Sequence, residues 1–440
     1  MTATLSPPSA PPSHTALAPR RYRVLTVASH PVQYASPVVR EMARHPQLDL
    51  TVAYCSLQGA QSGVDPEFGV AVQWDVPLLE GYPWVQVPNR SWRPGLGRFF
   101  GLFNPGLWSL LRRGSFDAVI LWTGYVYASF WIALLAAKLR GVPVLFGTDA
   151  TTLDPRNGRL WKSALKKVVW PRLFRLADQV IVPSSGARDL MHSLGIPQDR
   201  VTLTPYSVDN DWWMQQSAKV DRQAVRASWG AAPANPVVLF CAKLQPWKRP
   251  SDLLRAFAAA ALADAVLVFA GEGPLRAQLE AEAAALGLRD RVRFLGFVNQ
   301  SQLPAIYTAA DVMVLPSEYE PFAVVVNEAM CCGCPVIASD RVGAARDLVL
   351  PLRPEFVYPC GDLDALAHLL KTALADRPSL QRFSQAALAR MRAWSPAQNI
   401  AATVEAVQRA VARSRRPPRQ PLSHSAATQE TPDAPQKLSQ

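Results

Sequence analysis

Two successive series of short apolar runs, separated by helical stretches, constrain this chain more than any other feature. In the first series, runs at 22–28, 48–55, 116–123, 143–146, 179–183 and 201–204 alternate with helical patterns at 37–44, 129–140 and 185–194. In the second, runs at 237–241, 265–269, 292–295, 312–315 and 335–339 alternate with helical patterns at 251–263, 274–286, 301–309 and 323–332. Short apolar runs bounded by Gly or Pro read as buried strands, and their alternation with helices builds parallel sheets covered on both faces. The pattern therefore predicts an α/β chain of two Rossmann-like, doubly wound parallel-sheet domains facing a central cleft. A chain of 440 residues is long enough for two such cores. The boundaries fall at 21–212 and 213–394, with a linker-like stretch around 209–235 between the two series. Residues 1–20 and 413–440, rich in Pro, Ser and other small or polar residues, are expected to be a disordered leader and tail.

One segment competes with this reading. Residues 118–137 run without a charge, a length that could span a bilayer. Gly124 interrupts it, however, and a β-branched run precedes the break while a helical pattern follows. Strand, helix and a new strand within so short a stretch make a buried βαβ unit.

The six cysteines also narrow the class. Cys331, Cys332 and Cys334 cluster, but no second pair and no His stands at zinc-finger spacing. That argues against a disulfide scaffold or a structural zinc, and for reduced thiols in a cytoplasmic protein. Two DxD sequences, Asp209-Asn210-Asp211 and Asp362-Leu363-Asp364, are better read as turn and helix-cap residues than as metal ligands. No metal and no cofactor is expected.

Net charge is +12, and it is concentrated. Residues 90–175 hold fourteen Lys or Arg against three acids, whereas the remainder carries 32 basic and 31 acidic residues. Trp92, Phe99, Phe100, Trp161 and Trp170 interleave with the cations. No motif that reads nucleic acid is visible, so nucleic acid is not an expected partner. The mixture fits an anionic membrane surface contacted through residues 90–175, on a protein peripheral to the inner face of the cell membrane, and the alternatives are a polyanionic acceptor or a plain solvated surface.

Ligands in doubly wound sheets bind beyond the carboxyl ends of strands, which directs attention to the second-half loops. After 237–241 come Lys243 and Lys248, two cations that could grip a diphosphate, though such pairs are common on surfaces. After 265–269 comes AGEGPL, where Gly271 and Gly273 permit close backbone approach before a helix N-terminus. Phe297 and Val298 stand at a third loop mouth. The fourth loop, PSEYEPFAVVVNEAMCCGCPVIASD, carries Glu320 and, within the helix opened by residues 322–325, Glu328. Glu328 stands among Val324, Val325, Val326, Ala329 and Met330, and a carboxylate on so apolar a segment needs a partner.

In this order the motifs resemble the retaining GT-B glycosyltransferases of the group 1, family 4 type. The resemblance covers roughly residues 22–410 and is dense from 237 to 365. It implies that Lys243 and Lys248 neutralise the donor diphosphate and that the backbone near Phe297 and Val298 reads the base. It further implies that Glu328 holds the ribose, while Glu320, with the backbone at Phe322, Ala323 and Val324, holds the donor sugar and phosphate. The catalytic set would be Glu320, Lys248 and Lys243. The first domain would bind a glycan or glycolipid acceptor, and a helix at about 395–412 would pack back on it.

The chain departs from the family pattern in named places. Ala323 replaces a usual Gly. The loop ASHPVQYASP lacks a glycine pair and presents His30, Gln33 and Tyr34 as candidate acceptor residues. FGTDATT carries Asp149 where many relatives have a donor-facing His, and LPLRPEFVYPCGD lacks the usual Asn-Gly turn. The expected activity is metal-independent sugar transfer from a nucleotide diphosphate sugar to a hydroxyl, with retention, in cell-envelope polysaccharide or glycolipid assembly. The alternatives are an epimerase or phosphorylase of the same fold, or a non-catalytic nucleotide-sugar-binding protein.

Overall fold

The structure, a computed structural model, describes residues 20–61, 63–64, 69–154 and 160–414. The expected leader and tail, apart from Arg20, Arg413 and Ser414, lie outside the described residues, as do Arg156 and Arg159 of the basic region.

The first half contains β1 (Tyr22–Ala28), α1 (Ala35–Ala43), β2 (Leu48–Tyr54), the short pair β3 (Gly63–Val64) and β4 (Ala71–Val72), and β5 (Trp84–Gln86). It continues with α2 (Gly106–Arg113), β6 (Ala118–Leu121), α3 (Ala128–Leu139), β7 (Val144–Gly147) and α4 (Leu160–Arg175). It closes with β8 (Gln179–Val182), α5 (Ser185–Ser193) and β9 (Val201–Leu203). The second half contains α6 (Asn210–Ser217), α7 (Arg222–Ser228), β10 (Val237–Cys241), α8 (Pro250–Ala259), β11 (Val266–Ala270), α9 (Arg276–Ala285) and β12 (Val292–Gly296). Next come α10 (Leu303–Ala309), β13 (Val312–Leu315), α11 (Val324–Cys331), β14 (Val336–Ser339) and β15 (Val357–Tyr358). Three helices end the described chain: α12 (Leu363–Ala375), α13 (Arg377–Ala393) and α14 (Pro396–Arg413).

The strands form two parallel sheets, ordered β5-β2-β1-β6-β7-β8-β9 and β12-β11-β10-β13-β14-β15. Strands β6, β7, β10, β11, β13 and β14 are buried at every residue, as their continuous apolar runs require. The uncharged segment at 118–137 divides into β6 and α3. Among the described residues, no helix is long and apolar enough to cross a membrane.

The linker-like stretch is corrected by the structure, because residues 209–235 hold two capped helices. Asp209 accepts from the Trp212 N–H at 3.1 Å, and Asp221 accepts from Gln223 and Ala224 at 3.0 Å. These are N-cap bonds that satisfy first-turn donors. Arg226 of α7 is buried and reaches Asp311 at 3.2 Å, while Asp311 also accepts from the Val237 N–H at 2.7 Å. That paired charge ties α7 to the base of the second sheet.

Among the described residues, the first and second halves meet in at least three places. Beyond α14, whose Ile400, Val404 and Val407 pack with Val24 and Ile120 of the first sheet, two chain crossings lie side by side. The Asn210 side chain donates to the Met391 and Trp394 carbonyls at 2.6 and 3.0 Å, and Trp394 Nε1 donates to the Tyr206 carbonyl at 2.7 Å. Beside them, Asp347 accepts from the Ser185 N–H at 3.0 Å, and Arg346 pairs with Asp189 at 2.6 Å. The third meeting joins the segment before β5 to the loop after β12. Asn299 Nδ2 donates to the Gln73 carbonyl at 2.7 Å, and the Ser301 N–H donates to Asp75 at 3.2 Å. The Trp74 and Phe297 rings meet edge-on at 5.8 Å.

Candidate active site

Each sheet has one point where strand order reverses, between β1 and β6 in the first and between β10 and β13 in the second. Crevices form beyond the carboxyl ends of strands at such points. The candidate donor residues cluster at the second. Lys243 and Lys248 follow β10, and Lys248 lies in a single 3₁₀ turn, Pro246–Lys248. Glu320 follows β13. Lys248 Nζ donates to Glu320 Oε2 across the crevice, with both side chains mostly buried. The pair joins the two loops that flank the reversal.

The AGEGPL turn is packed against the same loop. A Cβ on Gly271 would lie 2.0 Å from the Ala242 carbonyl oxygen, and one on Gly273 2.6 Å from that of Leu244. Any side chain there would push the lysine-bearing loop away. Gly271 also donates its N–H to Gly296 O at 2.8 Å, which ties this turn to the loop carrying Phe297 and Val298.

The glutamate-bearing loop enters α11 through Ala323, whose φ of 87° and ψ of 79° put an alanine in a left-handed conformation. The backbone adopts the shape of a glycine although the residue is not one. Phe322 is buried and its carbonyl accepts from the Ala344 N–H at 2.7 Å, while Glu320 O accepts from Gly343 at 2.9 Å. Glu328 sits one turn inside α11, 8% exposed, and takes a hydrogen bond from Tyr307 Oη at 2.8 Å. Burial pushes its carboxyl up to about 7, against which the Tyr307 bond works in the opposite sense.

The candidate acceptor residues gather at the first reversal. His30 is half-buried, its Nδ1 is 2.9 Å from Ser29 Oγ, and burial lowers its pKa. Tyr34 meets Tyr206 edge-on at 5.9 Å, and Tyr206 meets Phe322 of the second domain at 5.3 Å. Asp149 stands close enough to raise the pKa of both tyrosines. Its own side chain is exposed, yet desolvation by the surrounding protein raises its carboxyl pKa. Gln33 is half-buried on the same loop. Tyr206 and Trp122, which stack at 6.4 Å, were not singled out from sequence. An aromatic residue just beyond a strand end was the available signal.

Neither DxD sequence assembles a metal site. Asp209 caps α6, and Asp362 caps α12 by accepting from the Ala365 N–H at 2.9 Å. No group of three or more His, Cys, Asp or Glu suited to a metal occurs among the described residues. All six cysteines are free thiols, five of them buried.

Two facing parallel-sheet domains with polar loops at both reversals define the GT-B class. The chain matches the family of "Glycosyl transferases group 1" over residues 221–390 and the "Glycosyl transferase 4-like domain" over residues 15–207. It is 32% identical over 410 residues to a D-inositol 3-phosphate glycosyltransferase of Nocardia farcinica, covering 86% of each chain. It is 28% identical over 343 residues to the 2-deoxystreptamine N-acetyl-D-glucosaminyltransferase of Streptomyces fradiae, covering 77% of this chain and 75% of that one. The crystal structure of Anabaena HepE in complex with UDP and glucose shares the fold with a TM-score of 0.67, at 20% identity, over 88% of this chain and all of that one. The protein belongs to the group 1, family 4 type of GT-B glycosyltransferases.

Proposed function

We propose that this glycosyltransferase moves a sugar from a nucleotide diphosphate sugar to a hydroxyl acceptor with retention and without a bound metal. The observation that carries the reading is the convergence of Lys248, Glu320 and the Gly271–Gly273 turn at the reversal of the second sheet. Lys243 and Lys248 would meet the charge that develops on the leaving diphosphate, and the start of α11 would add its own positive potential. Glu328 would accept from the ribose hydroxyls, and Glu320 from the donor sugar. Phe297 and Val298 would flank the base. The acceptor hydroxyl would approach from the first domain, past Tyr34, Tyr206 and Asp149, on the face from which the diphosphate departs. The donor phosphate would take its proton. UDP and sugar in the HepE complex are consistent with such a cleft.

NMR of the product from an α-linked donor is the test of stereochemistry. An α linkage at the first observable time point, formed in excess EDTA, is expected. A β product, or activity lost to EDTA and restored by Mn²⁺, would overturn the mechanism.

A cell-envelope glycan or glycolipid acceptor is proposed on a second observation, the outer face of α3 and α4. Trp131, Leu135 and Leu139 are exposed one turn apart along α3, and Trp161, Leu165, Val168 and Val169 are exposed along α4. A groove of about 360 Å³ between Trp131 and Val168 joins the two helices. Helix α4 is apolar on two sides, since its buried face (Trp170, Leu173, Phe174) and its outer face both carry large apolar residues. Lys162, Lys167 and Arg172 edge the outer face, which suits an anionic membrane surface at the cytoplasmic side.

A further inference from the structure

The reversal of the first sheet holds a cavity of about 300 Å³. Its walls are Val38 and Met42 of α1, Leu50 and Val52 of β2, and Ile120 of β6. Its other end is bounded by His30, Tyr34, Trp122 and Tyr206, the residues that face the cleft. The apolar chamber therefore adjoins the place where the acceptor hydroxyl must meet the donor. Two features describe what fits. No Lys, Arg, Asp or Glu is among its described lining residues, and burial keeps His30 toward its neutral form. An anionic group would lose its hydration there with no counter-charge. Ser207 also lines the chamber and is 3% exposed, and its hydroxyl has no hydrogen-bond partner among the described residues. Buried hydroxyls are rarely left so, and this one calls for a polar atom supplied by a ligand. Asn399, by contrast, is committed to the Thr204 and Pro205 carbonyls.

We propose that this chamber holds an uncharged apolar portion of the acceptor, an alkyl or aryl aglycone, with Ser207 bonding the polar atom that links it to the reactive hydroxyl. The proposal rests on the transfer reading above. It excludes acceptors whose phosphate would have to sit in the chamber.

The test is calorimetry on the full chain loaded with UDP, titrated with octyl β-D-glucoside below its micellar concentration, methyl β-D-glucoside and D-inositol 3-phosphate. The octyl compound is expected to bind at least tenfold tighter than the methyl one, and inositol phosphate no tighter than the methyl one. Val38→Phe, which fills the chamber from α1, is expected to erase the octyl advantage and leave UDP affinity unchanged. Ser207→Ala is expected to weaken the octyl compound severalfold. Indistinguishable binding of the two glucosides, an octyl advantage that survives Val38→Phe, or preference for the phosphate would each overturn the proposal. If Val38→Phe does not fold, the comparison of the three compounds on the unaltered chain still decides. Failure of UDP itself to bind would instead strike at the transfer reading.

Discussion

Tyr307 donates its hydroxyl hydrogen to Glu328 at 2.8 Å, and this bond fixes a buried carboxyl one turn inside α11, the group proposed to accept from the ribose. Burial raises the Glu328 pKa from 4.5 to about 7, so the folded chain binds this proton more tightly than the unfolded chain. Its contribution to stability is therefore complete below about pH 4.5 and is lost as pH rises to about 7. Donor binding should run the other way, because accepting from two hydroxyls needs the ionised form. Affinity for the nucleotide diphosphate sugar donor is expected to rise about eightfold between pH 6 and 7.5, following the ionised fraction of a carboxyl at about 7. Glu328→Gln should flatten that profile in calorimetry. An unchanged slope in the variant would remove Glu328 from the nucleotide site.

Lys248 is bonded to Glu320 and, on the function proposed above, would also meet the donor diphosphate. Lys248→Ala should cost a charge-assisted contact of about 1.5–3 kcal/mol, at least a tenfold loss of donor affinity. Glu320→Gln keeps the shape of the loop and should lower the transfer rate more than it lowers donor affinity. Steady-state kinetics with separate donor titration distinguishes the two. Donor affinity unaltered in Lys248→Ala would refute the assignment.

Ala323 holds a conformation that costs an L-residue about 1–2 kcal/mol. Glycine removes that strain and gives back part of the gain through its looser unfolded chain. Ala323→Gly is expected to raise the melting temperature by about 2 °C and to leave donor affinity at least as tight. A lower melting temperature would show that the Ala323 methyl group contributes packing that outweighs its backbone strain.

The Ala323 position shows what sequence could reveal. Its departure from the family's glycine was legible as a residue, but the positive φ belongs to the loop geometry set by the Gly343 and Ala344 bonds. The β-branched runs of β10, β11, β13 and β14 were legible because strands buried on both faces leave no alternation to obscure. The helices α6 and α7 were missed although Asp209 and Asp221 are ordinary capping residues. Their short apolar faces carried little periodicity, and Arg226 makes sense only beside Asp311, far along the chain. The meeting of Gln73 and Asp75 with Asn299 and Ser301 was equally hidden, because no local pattern links residues so distant in sequence.

The α3–α4 face yields a separate expectation. Replacing Lys162, Lys167 and Arg172 by Glu should release the protein from vesicles containing phosphatidylglycerol. Raising salt should weaken the unaltered protein's binding as the Debye length falls below about 10 Å. Trp161→Ser together with Leu165→Ser should weaken binding at every salt concentration, since it removes inserted apolar surface. Co-sedimentation that is indifferent to lipid charge and to both variants would leave this face without a membrane role.

The side-by-side chain crossings at Tyr206–Asn210 and Trp394 have a mechanical consequence. Tyr206–Asn210 follows β9, the outermost strand of the first sheet on one side, whereas Gln73–Asp75 precedes in sequence β5, the strand at the opposite edge. Two chain crossings bonded to each other would resist sliding more than rotation about their shared line. The displacement in such a rotation grows with distance from the line, and the contacts away from it are Asn299 on Gln73, Ser301 on Asp75 and Trp74 against Phe297. A rigid rotation about that line would displace Trp74 from Phe297 farther than it displaces Tyr206, so the indole of Trp74 would report such a rotation most strongly.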